Sequence, residues 1–379
     1  MRNIKHMISV RLATYYASSF MMLGVHLIFW PIWLTERGLS ATDIGTVLAL
    51  GIASKLIANP LVAHFSDQLG QRKLLIVFLT SLSFLAFLLF SFTDSFATIL
   101  ALHLLFIALW SPTMPLMESL TMHGVAHLGL DYGRIRLWGS VTFMIAAMGV
   151  GYLMKEGSTH VVYWAIVFTL GLTVLSAFFL PDLRPPKSKI KKLTILIVVK
   201  DYRFVLFLLG TALIQTSHAV YYGFGSIHWK NSGISEDMIG LLWAIGVFAE
   251  IILFTYATTI FKQIGPARLI VLAGIAGLIR WPLTGMTTDL VPLIGLQILH
   301  AMTFGATHLG AMHYIQNRID PSLSATAQSL YSGVVMGAAM SLAAYASGHL
   351  YASYQGMAYY SMGGMAALGG IIVFLLRRK

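Results

Sequence analysis

The sequence predicts an all-α polytopic membrane protein: twelve transmembrane helices forming two pseudo-symmetric six-helix bundles. Composition, the spacing of apolar runs and the placement of charge each point there. Of 379 residues, 57% are hydrophobic and 10% are charged, whereas about 25% charged is usual in soluble chains. Mean hydropathy is +0.78. So few charges cannot cover a soluble surface, which excludes a soluble enzyme, a disordered scaffold and a receptor with a large ectodomain. At roughly 20–25 apolar residues per span, the chain has room for about twelve spans joined by short loops. There is no cysteine, so disulfides, thiolate metal sites and Cys nucleophiles are excluded.

Apolar runs between polar breaks place the spans at 10–34, 42–65, 73–93, 95–120, 133–154, 160–180, 204–229, 237–260, 268–287, 290–315, 325–351 and 357–376. The opening residues run into the first span with no small-residue cleavage site, so that span is read as retained. Of the 25 Lys and Arg residues, 20 fall on the side of the N-terminus. Only Arg37, Lys155 and Lys230 fall on the other, and Lys55 and Arg280 lie within spans. The positive-inside rule then puts both termini in the cytoplasm. The net charge of +11 is a topology signal, and no nucleic-acid partner is expected.

The longest linker, 181–202, carries Pro185, Pro186 and a run of lysines. It separates an N-terminal bundle (1–180) from a C-terminal one (203–379). Its lysines can rest against anionic head groups; a solvated tether explains them equally well. Sliding the chain on itself by 195 residues brings Gly38, Ser40, Ile44, Gly45, Gly51 and Gly70 onto Gly233, Ser235, Ile239, Gly240, Gly246 and Gly265. Glycines inside spans allow the close backbone approach by which lipid-embedded helices pack. The same offset sets Lys55 on Glu250, so equivalent depths carry opposite charges. Two six-span halves of this kind describe the major facilitator architecture, with substrate held near mid-membrane.

The second-to-third loop, from Ala63 to Lys73, resembles the major facilitator signature G-x-x-x-D-R-x-G-R-R/K at Asp67, Gly70, Arg72 and Lys73 and departs from it at Ala63 and Gln68. The Asp can cap a helix end while the basic residues hold a neighbouring helix and the membrane surface. These four residues are read as a conformational latch. Asp131–Ser140, at the start of span five, is similar to the fifth-helix motif of the lactose and 3-phenylpropionate permease branches. His218–Phe224, Leu242–Val247 with Ala249 and Glu250, Ile279–Trp281, and Gln297–His300 with Thr303, Phe304, His308 and Leu309 resemble the 3-phenylpropionate permease branch more closely. The resemblance covers essentially the whole chain. It implies a transporter of the inner membrane, working as a monomer without cofactor, that moves a small solute with protons by alternating access.

Ionisable residues inside a span cost roughly 2.5–3.5 kcal/mol each on insertion scales and so mark function. Glu118 and Arg136 lie near the cytoplasmic ends of spans four and five, where antiparallel neighbours can form an ion pair. An acid and an Arg at this separation contact substrate in the lactose permease, so the resemblance gives them a substrate role. A purely structural pair is the competing reading. Glu250 lies deep in span eight, and a desolvated carboxyl can exchange a proton near neutral pH, as a proton carrier must. Glu250, Arg280 and His308 resemble the coupling set of that permease; its second acid after the His is replaced here by Ala311 and Met312. Lys55 either attracts an anionic solute or satisfies nearby carbonyls. Among 13 histidines, His218, His300 and His308 are placed in spans. His300 and His308, eight apart, fall within about 80° on an ideal helix. They are read as neutral hydrogen-bonders or proton relays rather than metal ligands, and no metal is expected.

Aromatic residues complete the candidate site. Tyr221, Tyr222 and Trp243 lie deep enough to stack on a ring or to pack helices, while Trp33 and Trp229, near span ends, are read as interfacial belt residues. No phosphate-binding loop supports ATP-driven transport, and no hydrolase motif occurs. The leading expectation is a proton symporter of an aromatic carboxylate such as 3-phenylpropionate. A sugar or nucleoside carrier, in either direction, and a non-transporting membrane receptor are the alternatives.

Overall fold

The computed structural model describes residues 2–155, 158–183, 195–320 and 323–377. Among the described residues there is no strand. Ten crossing helices follow in order: α1 (Asn3–Glu36), α2 (Ala41–Leu69), α3 (Arg72–Phe92), α4 (Phe96–Leu128), α5 (Tyr132–Met154), α6 (His160–Phe178), α7 (Tyr202–Asn231), α8 (Glu236–Thr255), α9 (Pro266–Met286) and α10 (Leu290–Arg318). A last apolar stretch, Thr326–Leu376, has 51 residues. As one rod it would be about 76 Å long, more than twice a hydrocarbon core of about 30 Å. It is broken at Gln355, whose φ is +46°, and by a 3-10 turn over Gln355–Met357. The break yields α11 (residues 326–354) and α12 (Ala358–Arg377), which brings the helices to the expected twelve.

The spans end where the sequence supplies a stop. Gly38, Gly70, Gly233 and Gly265 have φ of +82°, +65°, +86° and +76°, a region costly for any residue with a Cβ. They are repeat-related in pairs, so the repeat marks turn geometry as well as helix contact. Asp131 and Asp201 open α5 and α7 by accepting the backbone N–H of Arg134 (3.1 Å) and Arg203 (2.9 Å). Large apolar side chains such as Phe92, Trp164, Phe168 and Val291 are exposed, which suits helices bathed in lipid rather than water.

Two compact units are formed. Unit 1 comprises Met1–Leu39, Leu50–Ile190 and Glu236–Leu241. In it α1 packs on α5 and α6, and α3 packs on α4 and α6. A Cβ on Gly24 would stand 2.7 Å from the Phe143 carbonyl, so the α1–α5 crossing requires glycine. Buried hydroxyls are paired within the unit: Tyr15 with Thr80 (3.2 Å) and Ser18 with Ser176 (2.9 Å). Unit 2 comprises Ser40–Ala49, Lys191–Ser235 and Leu242–Lys379. There α9 packs on α12, α12 on α7, and α7 on α11, around a core that includes Phe204, Phe207, Ile270, Tyr331 and Val373. Most of the linker, including the Pro185-Pro186 pair and its lysines from 187 to 192, lies outside the described residues.

The belt assignment of two tryptophans does not hold. Trp33 and Trp229 are 2% and 0% exposed. Trp33 stacks on Trp30 at 4.5 Å, and Trp229 meets the Tyr221 ring edge-on at 5.9 Å. Trp33 also meets Phe90 of α3 at 6.2 Å, and the burial of both rings assigns them to the protein interior.

Candidate functional site

In unit 2 the polar interior is built around Arg280, in the second half of α9 and 0% exposed. Its Nε donates to the Leu296 carbonyl (3.0 Å), one Nη to Thr303 Oγ1 (2.9 Å) and His300 Nδ1 (3.2 Å), and the other to Gln297 Oε1 (3.2 Å). Four of its five N–H groups are thus engaged. None of these partners carries a negative charge. The guanidinium lies over the Trp281 ring (4.3 Å) and the Tyr221 ring (5.0 Å), which adds cation–π attraction.

The hydrogens in this network follow from chemistry. Arg280 can only donate, so His300 Nδ1 is an acceptor. The Gln215 carbonyl can only accept, so His218 Nδ1 donates to it (2.9 Å). In a neutral ring, His218 Nε2 then accepts from Thr303 Oγ1 (3.1 Å). Tyr221 donates to Gln297 Oε1 (3.0 Å) and stacks on Trp243 at 4.3 Å. Tyr222 lies against His218 at 5.5 Å. The structure therefore gathers His218, Tyr221, Tyr222, Trp243, Arg280 and His300, all singled out from the sequence.

His308 is not among them. A π-helical turn over Ala301–Ala306 separates it from His300 and changes the angular register that an ideal α-helix would give. His300 joins Arg280, whereas His308 lies beside Phe304 (6.4 Å) and Tyr331 (6.1 Å). Glu250, on α8, is partly buried; its Cγ packs beside Gly305, 3.3 Å from where a Cβ would stand.

In unit 1, Glu118 and Arg136 form the anticipated pair at 3.7 Å, each about one-third exposed. Glu118 also accepts from Tyr132 (3.0 Å), and Arg136 lies 3.9 Å over the Phe20 ring. Lys55 is partly buried and joins neither partner; it stands one helical turn after Gly51, which lies against His103. The α2–α3 loop holds Asp67 and Arg72 at 3.8 Å, with Gly70 making the turn. Asp67 does not cap α3: Gln71 precedes that helix, with no side-chain cap. Loop and ion pair exist; the cap does not.

Sequence reasoning passed over Gln297, Thr303, Trp281, His26 and His103. The first three fall inside the stretches quoted for their resemblance, next to named residues. His26 and His103 carry the signal that flagged Lys55, an ionisable group inside an apolar run.

The sequence profile of the MFS_1 like family matches residues 9–362. The chain is 32% identical over 352 residues to the "Probable 3-phenylpropionic acid transporter" of Escherichia coli strain K12, covering 90% of each chain. It is 26% identical to the maltose permease of Geobacillus stearothermophilus, covering 96% of this chain and 93% of that one. Among solved structures, the nucleoside transporter NupG superposes with a TM-score of 0.87 at 15% identity, covering 98% of this chain and 99% of NupG. A bacterial homologue of the iron transporter ferroportin superposes at 0.79 with 14% identity, over 98% and 99%. The relatives are transporters, not enzymes, and the fold, the buried polar interior and the profile agree. The chain belongs to the MFS_1 like family of major facilitator transporters, multi-pass membrane proteins that carry small molecules.

Proposed function

We propose that the chain is a proton-coupled symporter of a small aromatic carboxylate such as 3-phenylpropionate, working by alternating access as a monomer in the cell inner membrane, with both termini cytoplasmic. The observation that carries this reading is a pair of intramembrane cations, Lys55 and Arg280, with no acid within ion-pair distance among the described residues. Uncompensated positive charge in a low-dielectric interior favours an anionic guest. Aromatic rings beside Arg280 suit the apolar end of such a solute. The 32% identity to the E. coli 3-phenylpropionic acid transporter supports the same substrate class.

In this reading Arg136, Glu118, Lys55, His218, Tyr221, Tyr222, Trp243 and His300 contact or frame the solute. Glu250 carries the proton, with His308 and Arg280 biasing its uptake. Asp67, Gly70, Arg72 and Lys73 latch one conformation. A second reading, a neutral sugar or nucleoside, is favoured by the Glu118–Arg136–Tyr132 set, which can both donate to and accept from hydroxyls. Uptake into proteoliposomes separates the two. Labelled 3-phenylpropionate should enter and resist competition by maltose or uridine. Entry of the sugar or nucleoside instead, with the acid inert, overturns the assignment.

A further inference from the structure

The sequence repeat extends into side-chain packing, and there the two units differ at one atom. In unit 2, Gly246 lies against His300, whose Cβ is 3.4 Å from where a glycine Cβ would stand. In unit 1 the repeat-related Gly51 lies against His103, whose Nε2 is 2.6 Å from where a Cβ on Gly51 would stand. Each glycine stands one helical turn before its repeat-related ionisable residue, Glu250 or Lys55. Both histidines are buried, at 7% and 2% exposure. His300 Nδ1 accepts from Arg280; His103 Nδ1 has no partner among the described residues.

The reason is visible in the repeat. Arg280 corresponds to Leu85 at the 195-residue offset and to Ser83 at the 197-residue separation of His103 and His300, so at neither position does unit 1 supply a guanidinium to its histidine. His26 Nε2 and Trp30 Nε1 also lack partners among the described residues. The rings lie together: His26 to His103 at 6.0 Å, His26 to Trp30 at 5.5 Å and Trp30 to His103 at 6.4 Å, all near-parallel. A residue four positions on shares the helix face, so Lys55 stands on the side of α2 that Gly51 turns toward His103. Its ammonium makes no ion pair or hydrogen bond among the described residues. All three of its N–H groups are available, where Arg280 has one.

We propose that Lys55, His103 and His26 form an anion subsite in unit 1 that receives the carboxylate of the transported solute, leaving Arg280 to organise the interior of unit 2. The proposal rests on the aromatic-acid reading above. A carboxylate offers about four lone-pair sites, enough for the ammonium and an imidazole N–H together; the matching amide lacks the charge that draws it there.

Binding of 3-phenylpropionate and of 3-phenylpropionamide to the full-length chain in nanodiscs, by calorimetry, tests it. The wild type should prefer the acid by at least about tenfold, the worth of one charge-assisted contact. Lys55→Gln should bring acid and amide within about twofold, Lys55→Arg should restore the preference, and His103→Phe should weaken the acid about tenfold while sparing the amide. Where Lys55→Gln does not fold, His103→Phe decides alone. A selective wild type whose variants keep full acid preference overturns the subsite and leaves the aromatic-acid reading standing. A wild type that does not prefer the acid overturns both.

Discussion

Arg280 shows how a buried charge is held without a counter-charge. Hydrogen bonds to charged groups contribute about 1.5–3 kcal/mol each, and a buried partner left unpaired adds a desolvation cost. Arg280→Gln keeps polarity but cannot span the Leu296 carbonyl, Thr303, His300 and Gln297. The variant should therefore unfold with a stability loss of about 3 kcal/mol or more, seen as a lower melting temperature in detergent. An unchanged melting temperature would mean that the guanidinium is not the hub described. Arg280, Glu250 and Lys55 were legible in the sequence because a charge inside an apolar run stands out. Gln297 and Thr303 were not, since hydroxyls and amides recur throughout these spans; buried Thr80, Thr173 and Thr211 give the same signal with no site around them.

Among elements, glycine decides which helices touch. Gly24 meets a backbone carbonyl at 2.7 Å, which cannot give way, whereas Gly246 meets the His300 side chain at ordinary contact distance. Gly24→Ala should cost about 1–3 kcal/mol and Gly246→Ala less than about 0.5 kcal/mol, measured side by side by thermal unfolding. Equal costs would contradict the assigned packing. The repeat made these glycines visible beforehand, but not which of them turn the chain and which pack. Helix periodicity also failed locally: a π-helical turn inside α10 leaves no mark in an apolar sequence, so the angle between His300 and His308 could not be read. Chain breaks were legible where glycine or a charge stood, as between α2 and α3 and at Gln355-Gly356, where the reading of spans at 325–351 and 357–376 brackets the 3-10 turn.

For the whole molecule, twelve crossings follow from composition and length, and the two-unit organisation from contacts within each unit. Orientation rests on charge placement, and the absence of cysteine gives a clean test. Single replacements Asn231→Cys and Lys262→Cys, both at exposed positions, should differ in intact cells. The first should react with an impermeant maleimide from outside, the second only after permeabilisation; the reverse pattern would invert the topology. The central claim, proton-coupled transport of an aromatic acid, is tested most directly by accumulation of labelled 3-phenylpropionate in proteoliposomes under an inward proton gradient. The account predicts gradient-driven accumulation that collapses with an uncoupler and is lost in Glu250→Gln, while exchange of the acid at equal concentrations survives in that variant. Uptake that ignores the gradient, or accumulation undiminished in Glu250→Gln, would contradict it.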